Sequence, residues 1–110
     1  MAYDHDLANR IREQLADEDA VSEQEMFGGI AFLLAGNMAV GVTREDLMVR
    51  VGKDESDDAL EQPHTRVFDM TGRPMRNWIL VAPAGVETDS ALAGWVARGV
   101  AFARSLPPKG

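Results

Sequence analysis

Residues 25–52 read EMFGGIAFLLAGNMAVGVTREDLMVRVG, and the alternation inside this stretch decides the fold class. Ile30, Phe32 and Leu34 alternate with Ala31, Leu33 and Ala35. Met38, Val40 and Val42 alternate with Ala39 and Gly41, and Leu47, Val49 and Val51 with Met48, Arg50 and Gly52. Successive strand side chains point to opposite faces, so each run has one apolar face. Ala35-Gly36-Asn37 and Thr43-Arg44-Glu45-Asp46 are turn signals, since Gly and Asn tolerate positive φ. Short alternating runs joined by tight turns predict an antiparallel β-meander. Arg50 and Met48 fall on the face opposite Leu47, Val49 and Val51. Gly28-Gly29 predicts a bend where the chain enters the sheet. No GxGxxG or GxxxxGK[ST] follows it, so a phosphate cradle is not supported.

Around the meander the chain reads as helices and further strands. Leu7, Ile11 and Leu15 recur at helical spacing, predicting a helix over 4–17 with Asp4 and Asp6 at its positive end. Residues 18–25 are acidic and read as a link. KDESDDALEQP, residues 53–63, predicts a short helix capped by Asp54 or Ser56 and stopped by Pro63. Residues 64–69 read as a short extended run and Met70 to Asn77 as a loop punctuated by Gly72 and Pro74. Trp78 to Ala82 is apolar on both faces, which predicts an interior strand. Leu92, Trp95, Val96, Gly99, Val100 and Ala103 predict a last helix, capped by Thr88 or Asp89 and running to about Ser105. The order is α-βββ-α-ββ-α: an α+β two-layer sandwich, a mainly antiparallel sheet of about five strands with helices on one face. At 110 residues the chain is read as one domain, 1–110.

Composition narrows the function classes. Zero cysteine excludes disulfides, thiolate nucleophiles and Cys-based zinc sites, and fits a cytoplasmic protein. The N-terminus has no basic-then-apolar pattern of a signal peptide, and no apolar run is long enough to span a bilayer. Net charge is −7, split between −10 over residues 1–62 and +3 over residues 63–110. The acidic balance opposes direct nucleic-acid binding, which rests on phosphate neutralisation. Arg66, Arg73, Arg76, Arg98 and Arg104 are dispersed and read as a solvated face.

No catalytic constellation is legible. His64 has neither an orienting partner nor a nucleophile in its sequence neighbourhood. Asp57 and Asp58 are adjacent, and adjacent helix residues do not face each other. The acids over 17–25 lack the oxygen spacing of a calcium loop. No metal site, catalytic residue or cofactor is assigned, and no enzyme activity is expected. Met75 with Arg73 and Arg76 suits an adaptable contact surface, because Met is flexible and Arg is a versatile donor.

One resemblance covers nearly the whole chain. Met26-Phe27-Gly28-Gly29, then Phe32, Gly36 and Met38, then Arg50, resemble the TfoX N-terminal domain of the TfoX/Sxy family. The likeness continues through TGRPM (Thr71 to Met75), Trp78 and the closing WVARGVAFARSLPPK. Met26, Phe27, Gly28, Gly29, Phe32, Gly36, Met38 and Trp78 are expected to be structural. The resemblance implies a secretion-chaperone-like fold and a role in regulating bacterial competence genes, with other transcription machinery. Its length is about that of the family's N-terminal domain, and a stand-alone version of that domain is expected. Some members of the group carry names of RNA methyltransferases, but neither a cofactor-binding Gly-rich loop nor a β-α alternation is present here. The expectation is a non-catalytic regulatory or adaptor domain, homodimeric, with partner contacts at Arg50, Arg73, Met75 and Arg76. Arg50→Glu is then expected to impair partner binding and leave folding intact. The alternative is a small cofactor-free enzyme or a small-ligand-binding protein.

Overall fold

A computed structural model describes residues 3–26, 28–68 and 75–107. The meander is present as β2 (Gly29–Leu34), β3 (Asn37–Thr43) and β4 (Asp46–Arg50). Leu34 pairs with Asn37, and the intervening Ala35 and Gly36 have φ of 50° and 83°. Positive φ at both central residues is the two-residue hairpin geometry that matches strand twist. Ahead of the meander lie α1 (His5–Gln14) and β1 (Val21–Met26). After it come α2 (Lys53–Leu60), β5 (Thr65–Phe68), β6 (Met75–Val81), a 3-10 turn at Pro83–Val86 and α3 (Asp89–Arg104). The six strands form one sheet in the order β1-β2-β3-β4-β6-β5, with every neighbouring pair antiparallel.

The sheet has six strands rather than five because residues 21–26, read as an acidic link, form β1. As an edge strand, β1 can carry charge on both faces. Its register puts Glu23 beside Phe32, on the side where α1 lies. Arg12 Nε and Nη2 donate to Glu23 Oε2 and Oε1, each at 2.8 Å, and the guanidinium stands 5.8 Å from the Phe32 ring centroid. The Tyr3 hydroxyl donates to Glu25 at 3.2 Å. The acids that look solvated in the sequence therefore tie the edge strand to the first helix.

All three helices cover one face. Ile30 and Phe32, Val40 and Val42, Leu47, Val49 and Val51, and Ile79 and Val81 form one core with Leu7 and Ile11 of α1, Leu15 just after it, Ala59 of α2, and Leu92 and Val96 of α3. Fully burying one such aliphatic side chain contributes about 1.5–3 kcal/mol. A register shift between Phe32 and Leu33 turns Ala39 inward with Leu34, and both meet Ala103. There α3 comes closest to the sheet: a Cβ on Gly99 would stand 2.4 Å from the Ala39 carbonyl oxygen. Asp4 caps α1 through the Asp6 and Leu7 amides, and Thr88 caps α3 through the Ala91 amide. Neither Asp54 nor Ser56 caps α2: its cap is Gly52 at φ 75°, because the helix starts one residue before Asp54. Buried Asn37 donates to the Pro107 carbonyl at 2.9 Å, fastening the end of the described chain to the β2–β3 hairpin.

The two glycines inside α3 should respond oppositely to alanine. Gly99→Ala forces the helix off Ala39 and should cost about 1–3 kcal/mol in urea unfolding. Gly94→Ala meets nothing within 4 Å and should gain about 0.5–1 kcal/mol from helix propensity. Acid should act through Glu23, whose carboxyl the Arg12 hydrogen bonds hold below its ordinary value of 4.5, against a smaller opposing effect of burial. A depressed pKa adds stability at neutral pH that is lost as pH falls through the folded-state value. Both side chains are 39% exposed, so solvent keeps the contribution below about 1 kcal/mol. The stability difference between wild type and Glu23→Gln should therefore be small at neutral pH and close as pH drops below 4.5.

Candidate contact surface

Among the described residues, strand parity leaves a second face without a helix. By register, Leu33 stands beside Met38, Gly41 beside Met48, Met48 beside Leu80, and Arg50 beside Trp78. Met48 is buried, while Leu33, Met38, Trp78 and Leu80 are half-buried. A Cβ on Gly41 would stand 2.6 Å from the Ile30 carbonyl oxygen and 2.6 Å from Met48 Cε, so the β2 backbone and the Met48 side chain together hold this position to glycine. Exposed Ser22 and Gln24 of β1 and Arg66 of β5 flank this centre. An apolar centre with a polar rim is the arrangement of protein-contact surfaces. The sequence reading placed Met48 and Arg50 here, and the β4–β6 register adds Trp78 and Leu80.

Arg50 sits at the C-terminal end of β4 and is only half exposed. Its guanidinium lies 5.1 Å from the Phe102 ring centroid of α3, and Nη1 donates to the Met38 carbonyl at 3.4 Å. The same ring packs over Gly52, where a Cβ would stand 2.5 Å from Phe102 Cε1. Arg50 thus joins the end of the sheet to the last helix. Arg73 lies outside the described residues. Met75 and Arg76 open β6, which the sequence assigned to a loop, and the antiparallel β4–β6 pairing brings them to the Arg50 end of the sheet.

The other motif residues take the following places in the fold. Met26 pairs with Gly29 across the β1–β2 turn, and Phe27 lies outside the described residues. Gly28 has φ 75°, and a Cβ on Gly29 would stand 2.3 Å from the Val42 carbonyl oxygen. The glycine pair is therefore a hairpin turn and a close backbone approach. Phe32 is fully buried, and Gly36 makes the next turn. Trp78 meets Phe68 edge to face at 6.4 Å.

The described arginines of the C-terminal half do not make one patch. Arg66 pairs with Asp46, Arg98 with Asp58 and Arg104 with Glu18. Among the described residues no group of three or more His, Asp or Glu could hold a metal ion. No helix there is long and apolar enough to cross a membrane. Sequence reasoning missed a groove of about 400 Å³ between α3 and the Pro63-His64 turn. Ala93, Gly94 and Gly99 read in the sequence as small residues that let the last helix lie close to the sheet; that holds for Gly99, whereas Gly94 is exposed, faces open space and lines this groove.

The contacts of Arg50 revise what its substitution should do. Arg50→Glu removes the cation from Phe102 and sets a carboxylate against the Met38 carbonyl, so it should cost about 1–3 kcal/mol of folding stability. A double-mutant cycle of Arg50→Met with Phe102→Leu should give a coupling of about 0.5–2 kcal/mol, and additive effects would place the guanidinium elsewhere.

The TfoX N-terminal domain family model matches residues 13–103, which takes in every element from the last residues of α1 to nearly the end of α3. No curated protein and no solved structure matches the chain significantly. The matched span holds the Met26 to Gly29 turn, the meander, the Trp78 strand and the closing helix, so the chain belongs to the TfoX N-terminal domain family and is a competence-regulator-like domain.

Proposed function

We propose that this domain is a non-catalytic regulatory or adaptor module of the cytoplasm that works through protein–protein contacts made by the helix-free face of its sheet. The observation that carries the reading is the placement of Met38, Met48, Trp78 and Leu80 together on that face, while all three helices pack against the other. Half-buried Met, Leu and Trp side chains with a polar surround supply apolar area and adaptable shape. Arg50 borders the same surface, and the backbone of β6 begins at that end of the sheet. Its first occupant on this reading is a second copy of the chain, since a two-fold pair buries identical patches against each other. A component of the transcription machinery is the partner that family membership favours.

Sedimentation equilibrium of the chain at micromolar concentration should return a dimer. Leu80→Glu should shift it to monomer, while its circular dichroism and urea midpoint stay close to those of the wild type. A wild-type monomer at every concentration, or a dimer indifferent to Leu80→Glu, would remove the helix-free face from this role.

A further inference from the structure

On the far side of the molecule from that face, α3 and the segment after α2 enclose the groove of about 400 Å³ noted above, the size of a small-molecule site. Its floor is made of small residues, Ala84, Gly85, Ala91 and Gly94. Its walls carry rings, Trp95 on the helix and Pro63 and His64 on the turn. Arg98 stands at the end of the helical wall.

Two features of this groove have no explanation inside the chain. Gly94 occupies a helix interior, where glycine is less stable than alanine. Gly99 on the same helix is needed for packing, but a Cβ on Gly94 would meet nothing within 4 Å. The missing side chain leaves open the floor of the groove. Arg98 is the second feature. Its Nη2 donates to Asp58 at 3.0 Å, and its guanidinium lies 5.2 Å from the Trp95 ring centroid. Its Nη1 is covered by protein and has no acceptor. A buried donor left unpaired is costly, and a ligand acceptor would relieve it. Asp58 is 61% exposed and Arg98 itself lines the groove, so the guanidinium has a donor to spare beside it.

We propose that this groove binds a small aromatic carboxylate, its ring laid on the Ala91–Gly94 floor beside Trp95 and its carboxylate received by Arg98. A floor of alanines and glycines and a neighbouring indole ring favour a planar apolar body. A guanidinium favours a carboxylate, which accepts two parallel N–H bonds. Asp58 already offsets part of the Arg98 charge, which suits a monoanion better than a phosphate dianion. This site is independent of the helix-free sheet face, so either assignment stands without the other.

The test is an amide NMR titration of the full chain with indole-3-carboxylate and with benzoate. Benzamide serves as the neutral counterpart and inorganic phosphate as the simple anion. The proposal expects saturable shifts at Ala91, Gly94, Trp95 and Arg98 with a carboxylate, and binding weaker by about tenfold or more for benzamide. Gly94→Leu, which fills the floor from an open position, should abolish the shifts while the rest of the spectrum stays folded. Arg98→Gln should weaken binding by about tenfold. Absence of saturable shifts with both carboxylates overturns the proposal. So do shifts that survive Gly94→Leu, or phosphate binding as tightly as the carboxylates, which would mark plain anion attraction.

Discussion

The structure depends on how closely α3 approaches the sheet at Gly99. The Ala39 carbonyl lies where a Cβ would have to go, and Val40 Cγ1 would stand 2.7 Å from it. That approach is the reason a helix long enough to bridge β2, β3 and β4 can bury Leu92, Val96 and Ala103 together. It also needs the register shift after Phe32, which turns Ala39 toward the helix without disturbing Val40 and Val42. Packed interiors have little slack. A larger residue at either position would separate the helix layer from the strands it holds in register.

Packing every helix on one face determines what the other face can be. Antiparallel sheets tolerate one solvated face, which ordinarily reads as polar. Here that face keeps Met38, Met48, Trp78 and Leu80 at its centre. Met48 is accommodated by the absence of a side chain at Gly41, so the surface is filled rather than grooved. The charges are placed away from this centre and mostly in pairs. Arg12 with Glu23 fixes the edge strand, Arg10 with Asp89 links the first and last helices, and Arg104 with Glu18 closes the turn after α1. Exposed pairs like these contribute little energy each, and their value lies in where they hold the segments.

The core of the fold was legible because its signals are periodic. Ile30 with Phe32, Val40 with Val42 and Leu47 with Val49 alternate as a half-buried sheet requires, and Leu7, Ile11 and Leu15 repeat at helical spacing; the exception is Met38, read with Val40 and Val42, which the register shift after Phe32 turns to the opposite face. The sixth strand was not legible, because Val21–Met26 holds two glutamates and one exposed valine, and its membership depends on Arg12 and on backbone pairing with β2. Arg50 was correctly placed opposite Val49 and Val51. Its contact with Phe102 was hidden, since it joins residues 52 positions apart through the end of a sheet whose strand order is set by tertiary packing. The groove was hidden for the same reason: the Pro63-His64 turn and α3 are brought together by the insertion of β6 between β4 and β5. What the sequence did hold was Gly94, a helix-weakening residue whose need becomes visible only when its surroundings are seen to be empty.

The central claim is that the helix-free sheet face is the surface through which the domain meets its partner. The most direct measurement is the exposure of Met38, Met48 and Leu80 methyl groups to a soluble paramagnetic agent, followed by NMR as the protein concentration is raised. The account predicts that these methyls become progressively shielded as the chain associates, while those of α2 and the outer surface of α3 do not change. Methyls that stay equally exposed at all concentrations, or shielding that falls on the helical side, would contradict it.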